Sequence, residues 1–355
     1  MSTLTVSPSD TSHPQALPAA LSGAATAGIG AAGVGIGLAG VFGTLPAIRI
    51  DWLVPLLGVQ LRIDALGGFF MALTGAVAVA AGLYWIGYAR HERYGAVPLL
   101  TLPLFVATLL TVPAAGSVTT FLLAWELMAL ASLVLVLTDQ QRSEVRSAAL
   151  IYAVMTQLGF VSLLLGMVVL AAHVGDDFAG MGALPDGVRD TVFVLTLIGF
   201  GSKAGLMPLH AWLPRAHPEA PSPVSALLSA AMVNLGIYGI IRVDMQLLGP
   251  GPRWWGLALL IAGGASALYG VLQASVATDL KRLLAYSTTE NVGLITLALG
   301  AATLLSGAGS RDAAAVAAVA ALLHLLAHSA FKSLGFLAAG SVLVATGLRD
   351  LDRLG

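Results

Sequence analysis

Cysteine is absent from this 355-residue chain. Its absence excludes disulfide bonds, thiolate metal sites and cysteine-ligated iron–sulfur clusters. Any electron transfer linked to this protein must therefore take place in a partner. We expect no cofactor and no metal within this chain.

Charge is also scarce. Only 10% of the residues are charged and 57% are hydrophobic, whereas soluble domains carry about 25% charged residues. The mean hydropathy is +0.89, and the formal net charge of −1 offers no basic surface for nucleic acid. The composition indicates a multi-pass membrane protein in contact with the lipid bilayer.

Apolar segments of about 20 residues, the length that crosses a bilayer, recur along the chain. We predict an all-α transmembrane bundle of about ten spans, at 19–43, 65–88, 97–114, 117–138, 146–173, 191–210, 222–248, 254–277, 283–306 and 313–346. Residues 1–18 form a polar N-terminal tail without the basic start or cleavage site of a signal peptide.

Basic residues predict the orientation, because loops rich in arginine and lysine stay in the cytoplasm. One set of alternate loops contains Arg90, Arg93, Arg142, Arg146, Arg215, Lys281, Arg282, Arg349 and Arg353. The other set contains fewer: Arg49, Arg62, Arg189, Arg253 and Arg311. We therefore expect a cell-membrane protein with both termini in the cytoplasm.

The first span contains the spacing G-x-G-x-x-G at Gly28, Gly30 and Gly33. In dinucleotide-binding proteins this pattern follows a strand and precedes an acidic residue that binds ribose. Inside an apolar helix, glycines instead allow neighbouring helices to approach closely. We interpret these three as helix-packing residues.

Lys203 lies within the apolar stretch 191–210. A charge at mid-membrane costs roughly 2.5 to 3.5 kcal/mol on insertion scales. Pro208 cannot donate a backbone hydrogen bond and its ring clashes with the carbonyl of Ala204, so it is predicted to break the helix. A broken membrane helix beside an ionisable group is typical of transport proteins.

Two acidic and two amide side chains also fall within apolar segments: Glu126, Gln157, Asn234 and Glu290. A neutral amide there is most simply satisfied by a neighbouring helix. The acidic and basic groups are too costly to leave unpaired in lipid. We expect them to face one another or water.

His324, His328 and Lys332 recur every four residues. That spacing advances about 6 Å and rotates by about 40°, which places all three on one helix face. Two histidines at this spacing can bind zinc, but the H-E-x-x-H motif is absent and Lys332 would repel a cation. The row suits proton transfer better, because histidine titrates near neutrality.

His210 and His217 lie in a loop with five prolines between residues 208 and 223. The prolines forbid a continuous helix there. The loop is either a rigid connection or a mouth at which one of these histidines passes protons inward.

Four segments resemble the antiporter-like membrane subunits of respiratory complex I, formate hydrogenlyase and related hydrogenases, and Mrp-type antiporters. They are 125–128 (WELM), 201–230 (GSKAGLMPLHAWLPRAHPEAPSPVSALLSA), 279–291 (DLKRLLAYSTTEN) and 324–342 (HLLAHSAFKSLGFLAAGSV). The resemblance covers about residues 60–355 and is strongest to the hydrogenase branch.

The resemblance implies a proton channel of two inverted five-helix repeats. By motif, Glu126 matches the acid that modulates the pump lysine, Lys203 matches that lysine, and His324, His328 and Lys332 match the link to a second half-channel. Asn234, where many members have lysine, and Glu290, His210 and His217 are candidate relay residues. The implied organisation is N-terminal helices at 19–96, a first repeat at 97–248 and an incomplete second repeat at 249–355, as in a fragment or a natural short form.

The function implied by this resemblance is proton translocation in a redox-driven complex of the NADH dehydrogenase or hydrogenase type. Iron–sulfur or nickel–iron centres would belong to a peripheral redox arm, and this chain would contain no catalytic centre. An Mrp-type cation/proton antiporter subunit, with sodium as a further candidate ion, and a non-conducting structural fragment are the alternatives.

Overall fold

The computed structural model describes residues 16–53, 58–91, 94–180 and 182–354. Most of the predicted polar tail, together with Arg93, lies outside these ranges. The described chain is a bundle of long helices, as the composition predicted. Ten of its helices are α1 Ala16–Phe42, α2 Ala65–Tyr88, α3 Ala96–Ala114, α4 Val118–Val136, α5 Ser143–Val174, α6 Asp186–Ala204, α7 Leu213–Glu219, α8 Ser222–Leu227, α9 Val233–Gly239 and α10 Arg253–Ser275. Two more are α11 Leu280–Gly307 and α12 Arg311–Thr346.

Nine helical spans in the described ranges are long and apolar enough to cross a membrane. One of them, Ser222–Leu247, includes α8 and α9. The 19-residue α6 is a further predicted span, and it is less apolar because it contains four charged residues. The fold is therefore a multi-pass membrane bundle.

Side-chain caps fix the starts of several spans. Asp64 accepts a hydrogen bond from the Gly67 backbone N–H at the start of α2 (2.9 Å). Asp279 does the same for Arg282 at the start of α11 (2.9 Å). A carboxylate at a helix N-terminus satisfies a free N–H group and the positive end of the helix dipole.

A two-stranded hairpin connects α1 to α2, which the helical prediction did not include. Strands β1 (Ile48–Ile50) and β2 (Val59–Leu61) pair antiparallel with Arg49 opposite Gln60. Their β-branched residues favour strands, and the hairpin lies beyond the apolar helix ends. The backbone N–H of Gln60 donates to Thr120 Oγ1 (2.8 Å), which attaches the hairpin to α4.

Glycines bring α1 into close contact with α2 and α3. A Cβ at Gly30 would lie 2.7 Å from the carbonyl oxygen of Gly75 in α2, and one at Gly33 would lie 2.7 Å from the side chain of Leu110 in α3. A Cβ at Gly28 would meet nothing within 4 Å. The interpretation as packing residues is confirmed for Gly30 and Gly33, which lie in the middle of a helix.

The span Ser222–Leu247 is the central helix of the bundle, because 94% of its most apolar 18-residue stretch is buried inside the protein. It contains two π-helical segments, Leu228–Met232 and Ile240–Leu247. Such segments are rare and concentrate at functional sites, because the extra residue in the turn changes which side chains face a neighbour.

The predicted helix at 191–210 is wrong at its C-terminal end. Helix α6 ends at Ala204, and Gly205 has a left-handed φ of 75°. The N–H of Leu206 donates to Gly201 O (2.9 Å) and that of Gly205 to Ser202 O (3.2 Å), which is the Schellman pattern. The break predicted from Pro208 therefore lies immediately after Lys203, and the short helix α7 follows it.

Candidate functional site

Lys203 occupies the last turn of α6, next to this break, and is 3% exposed. Its ammonium has no hydrogen-bond partner among the described residues. It lies 5.8 Å from the ring centroid of Trp125 and 6.0 Å from that of Tyr152. Aromatic faces stabilise a cation only partly, so this charge is desolvated and weakly compensated.

Glu126 is the nearest acidic influence on Lys203, since its charge acts on the ammonium. No salt bridge joins the two in the described ranges. Glu126 Oε1 instead accepts a hydrogen bond from Gln157 Nε2 on α5 (2.8 Å), while Oε2 is buried and has no partner among the described residues. The carboxylate is thus held near the lysine but not in contact with it.

Asn234 connects the central helix to α12. Its Nδ2 donates to Ser329 Oγ (2.7 Å) and to Ala230 O (2.8 Å), and its Oδ1 is buried with no partner in the part of the chain that the structure describes. Ser329 directly follows His328 in the sequence. Asn234 thus lies where the central helix, which packs on α6, meets α12, which carries His324, His328 and Lys332.

The polar row of His324, His328 and Lys332 lies on α12, and Lys332 and His328 are almost fully buried (1% and 0% exposed). His324 Nε2 lies 3.0 Å from Asn291 Oδ1. Lys332 Nζ donates to the main-chain oxygen of Leu284 (2.7 Å), also on α11.

Neither ring nitrogen of His328 has a partner in the described part of the chain. Electrostatic interactions connect the members of the row: His328 with both His324 and Lys332, and Lys332 with Glu290. Glu290 is half-buried. The row therefore combines a desolvated imidazole with a cation and a nearby acid.

The histidines of the proline-rich segment occupy different positions. His210 is half-buried and packs edge-to-face on Tyr269, with ring centroids 4.5 Å apart. His217 lies on α7, fully buried and stacked on Phe336 of α12 (4.9 Å), with neither ring nitrogen hydrogen-bonded in the described ranges. The charges of Lys281 and Lys332 both act on His217. It is therefore the histidine that the structure brings to the polar row.

A polar cluster that the sequence did not predict lies beside α7. Glu219 forms ion pairs with Arg142 (2.8 Å) and Arg349 (3.5 Å), and buried Lys281 donates to the main-chain oxygen of Ala220. The cluster borders a cavity of about 240 Å³. From the sequence, Glu219 could be recognised only as an acidic loop residue two positions after His217. Its basic partners come from distant segments of the chain.

The structure therefore separates the predicted residues into two groups. One consists of Glu126 and Lys203 on α4 and α6. The other consists of His217, Glu290 and the polar row. Asn234 lies between the two groups. Within the described ranges, no hydrogen bond connects His210 to either of them. Ser329 and Asn291 were missed, although each is a polar residue next to a predicted one.

No group of three or more histidine, aspartate or glutamate side chains suited to a metal ion occurs within the described residues. Histidines 324 and 328 lie on one face as predicted, but the neighbouring groups are a lysine and an amide. These donors do not form a metal-ligand set.

Comparison with known proteins gives a consistent result. The sequence pattern of the family described as "NADH:quinone oxidoreductase/Mrp antiporter, TM" matches residues 115–355. The uncharacterized protein Rv0083 of Mycobacterium tuberculosis is 71% identical over 334 residues, which is 94% of this chain and 52% of that protein. Hydrogenase-4 component B of Escherichia coli is 38% identical over 302 residues, 83% of this chain and 45% of that protein.

Among solved structures, the Mrp complex from Dietzia contains a chain that superposes with a TM-score of 0.79 at 26% identity, covering 95% of this chain and 36% of that one. This chain spans about half the length of the curated relatives named above.

Proposed function

Because the chain belongs to the NADH:quinone oxidoreductase/Mrp antiporter membrane family, we propose that it translocates protons in a redox-driven membrane complex. The complex is of the NADH dehydrogenase or hydrogenase type, and its iron–sulfur or nickel–iron centres lie in partner subunits. This chain contributes the path through the membrane and has no catalytic centre of its own.

One observation carries this proposal: Lys203 is buried at the end of a broken helix and has no hydrogen-bond partner within the described ranges. A lysine kept there only for stability would have a paired carboxylate, because an unpaired buried charge is costly. A lysine without a fixed partner can take up and release a proton as its surroundings change. The left-handed turn at Gly205 ends the regular helix after Ala204, the residue that follows this lysine.

Glu126 supplies the change in surroundings. Its contact with Gln157 keeps the carboxylate near Lys203 without neutralising it. When Glu126 approaches, the protonated ammonium is favoured, and when it withdraws, the neutral amine is favoured. The pair forms a switchable proton site.

The second group of residues extends the path. From the cavity beside Glu219 and Lys281, the imidazole of His217 leads to Lys332, and the polar row leads to the contact between Ser329 and Asn234. Each step joins groups that interact in the structure. The breaks between them are spanned by water in the working protein.

The relatives support a proposal for the organisation of the chain and of its complex. We propose that residues 97–248 form one five-helix channel repeat, that 19–96 are accessory helices, and that 249–355 belong to a second repeat. Other membrane subunits and a peripheral redox arm complete the complex. Both termini face the cytoplasm in this arrangement.

Substitution of Lys203 tests the proposal. In the complex purified with its partners and reconstituted into vesicles, Lys203→Ala should abolish proton transfer driven by the redox reaction. Lys203→Arg should also reduce it, by about a hundredfold or more, because arginine cannot release its proton at neutral pH. Glu126→Gln should reduce it less. Vesicle pH is followed with a fluorescent dye.

Electron transfer to an artificial acceptor, measured in the same preparations, shows whether each variant has assembled. A correctly assembled Lys203→Arg complex with full proton transfer would mean that the residue provides only a fixed charge, and the proposal would then have to be abandoned.

A cation/proton antiporter subunit is the second candidate. The similarity to a chain of the Mrp complex favours it. In that case, proton movement in the vesicles would respond to a sodium or potassium gradient without any electron donor. The two functions therefore differ in one measurement on the same vesicles.

A further inference from the structure

Asp244 is a buried acidic residue to which neither the sequence analysis nor the proposed path assigns a role. It is 2% exposed and lies in the second π-helical segment of the central helix, Ile240–Leu247. Two residues earlier, Arg242 pairs with Asp64 at 2.5 Å. Residues two apart point to nearly opposite sides of a helix, so Asp244 faces away from that ion pair and towards α6.

Its one hydrogen-bond partner among the described residues is Thr196 of α6. Thr196 Oγ1 lies 2.6 Å from Asp244 Oδ1 and 2.7 Å from the main-chain oxygen of Val192. Asp244 Oδ2 is buried and has no partner in the described ranges. No charged side chain there acts on Asp244 appreciably. The carboxyl group is thus desolvated and lacks a counter-ion.

The contacts of Thr196 fit a neutral carboxyl group. A hydroxyl has one proton to donate, and the carbonyl of Val192 has none. With that proton directed to Val192 O, the hydroxyl accepts the 2.6 Å contact from a protonated Asp244. A neutral acid is also the form that a dry site without a cation in the described ranges tolerates.

Asp244 also has a definite place relative to Lys203. Thr196 precedes Lys203 by seven residues, which is about 10 Å along the helix and nearly the same face. A further seven residues back, Arg189 lies at the other end of α6 and donates hydrogen bonds to the main-chain oxygens of Leu248 (3.0 Å) and Pro250 (2.5 Å). Asp244 therefore lies at the level between Lys203 and the surface on the side of the α6 N-terminus. Phe200, fully buried, separates the two levels.

We propose that Asp244 is a second proton-binding site of this half-channel, neutral at rest, which exchanges protons between Lys203 and the surface near Arg189. This inference rests on the proposed function. Asp244 releases its proton towards that surface, and the resulting carboxylate takes a proton from the Lys203 ammonium, which leaves a neutral amine. The exchange requires water beside Phe200.

Infrared difference spectroscopy on the reconstituted complex tests the protonation state. The carbonyl stretch of a protonated carboxylic acid should be present at neutral pH, disappear in Asp244→Asn and shift in Thr196→Val. Thr296→Val is the matched control, because Thr296 is equally buried and donates only to its own helix, at Val292 O (2.8 Å). Absence of any acid band that Asp244→Asn removes would overturn the proposal.

Proton transfer in the same vesicles tests the role. Asparagine keeps the size of the side chain and can still hydrogen-bond Thr196, so a purely structural Asp244 would tolerate it. We expect Asp244→Asn to lower proton transfer by about a hundredfold, with electron transfer to an artificial acceptor retained, and Asp244→Glu to restore part of it. If Asp244→Asn does not assemble, Thr196→Val provides the test. A shifted acid band together with slower proton transfer in that variant would support the role of Asp244, and no change in either would overturn it.

The results separate the two proposals. Full proton transfer in Asp244→Asn, together with none in Lys203→Ala, would overturn the role of Asp244 and leave the pump lysine in place. Full proton transfer in both variants would overturn both proposals.

Discussion

Buried polar atoms without partners distinguish this protein at the residue scale. In the described ranges they include Lys203 Nζ, both nitrogens of His217 and His328, and Asn234 Oδ1. Ordinary interiors pair nearly all such atoms, because each unpaired one costs about 1 to 3 kcal/mol. These unpaired atoms are the ones to which the proposed function assigns water or protons.

The ion pair of Asp64 and Arg242 shows the opposite behaviour, since its groups are fully paired. Burial alone would raise the pKa of Asp64, but hydrogen bonds from Arg242 and from the Gly67 N–H, together with the arginine charge, hold it below its usual range. Two contacts from the guanidinium, at 2.5 and 2.7 Å, make the pair bidentate. Asp64 also caps α2, so it joins the start of one span to the central helix.

This pair predicts a pH dependence of stability. A carboxyl whose pKa is lower in the folded state stabilises the fold at pH values above its unfolded pKa of about 4. This stabilisation is lost as the pH falls through the pKa of the folded state. Asp64→Asn keeps a capping side chain but removes the charge. It should lower stability by about 1 to 3 kcal/mol at pH 7. The difference from the unaltered protein should shrink as the pH falls below about 4.

Thermal unfolding in detergent, followed by tryptophan fluorescence between pH 7 and pH 3, measures this difference. A difference that stays constant over that range would show that the ion pair does not stabilise the fold.

At the scale of the elements, interruptions of helices determine where functional groups lie. The left-handed Gly205 ends α6 one residue beyond the turn that contains Lys203, and α7 then brings His217 to α12. The π-helical segments of the central helix turn Asn234 and Asp244 towards different neighbours.

Gly205 is therefore predicted to be intolerant of substitution. Alanine there would adopt a φ of 75° at a cost of about 1 to 2 kcal/mol, and its Cβ would lie 1.8 Å from Leu213 Cδ1. Gly201→Ala is the matched control, because a Cβ at Gly201 meets nothing nearer than 3.6 Å. Gel filtration of fluorescently tagged protein from detergent-solubilised membranes should show a folded peak for Gly201→Ala and a reduced one for Gly205→Ala. Equal peaks would mean that the turn adapts.

At the scale of the whole molecule, the polar groups connect the two halves of the bundle. The central helix packs against α6 through Gly236, whose Cβ would lie 2.7 Å from Ala204 N, and against α12 through Asn234 and Ser329. Packed helices therefore connect the surroundings of Lys203 with the polar row. This arrangement depends on the number of spans and on their directions.

The topology gives a direct prediction. Ser143 begins α5 and Gly187 lies at the start of α6; both are exposed, and one span separates them. Because the chain has no native cysteine, single cysteines at these positions can be labelled cleanly. A membrane-impermeant maleimide should label Ser143→Cys from the cytoplasmic side and Gly187→Cys from the opposite side. Labelling of both from one side would contradict the arrangement of spans.

The membrane class, most of the span positions and most of the ionisable residues within the spans could be predicted from the amino-acid sequence alone. These follow from local properties: apolar length, the cost of burying charge and the four-residue spacing of the polar row. The sequence also located the helix break near Lys203, because proline acts on its own helix.

The side-chain partners of these residues became visible only in the folded bundle. The contacts of Gln157 with Glu126, of Ser329 with Asn234 and of Thr196 with Asp244 each join residues more than 30 positions apart. Local sequence patterns do not indicate which helices pack against each other. Asp244 was overlooked for the same reason: near a span end, a carboxylate resembles a residue that reaches water until its neighbours show that it is buried.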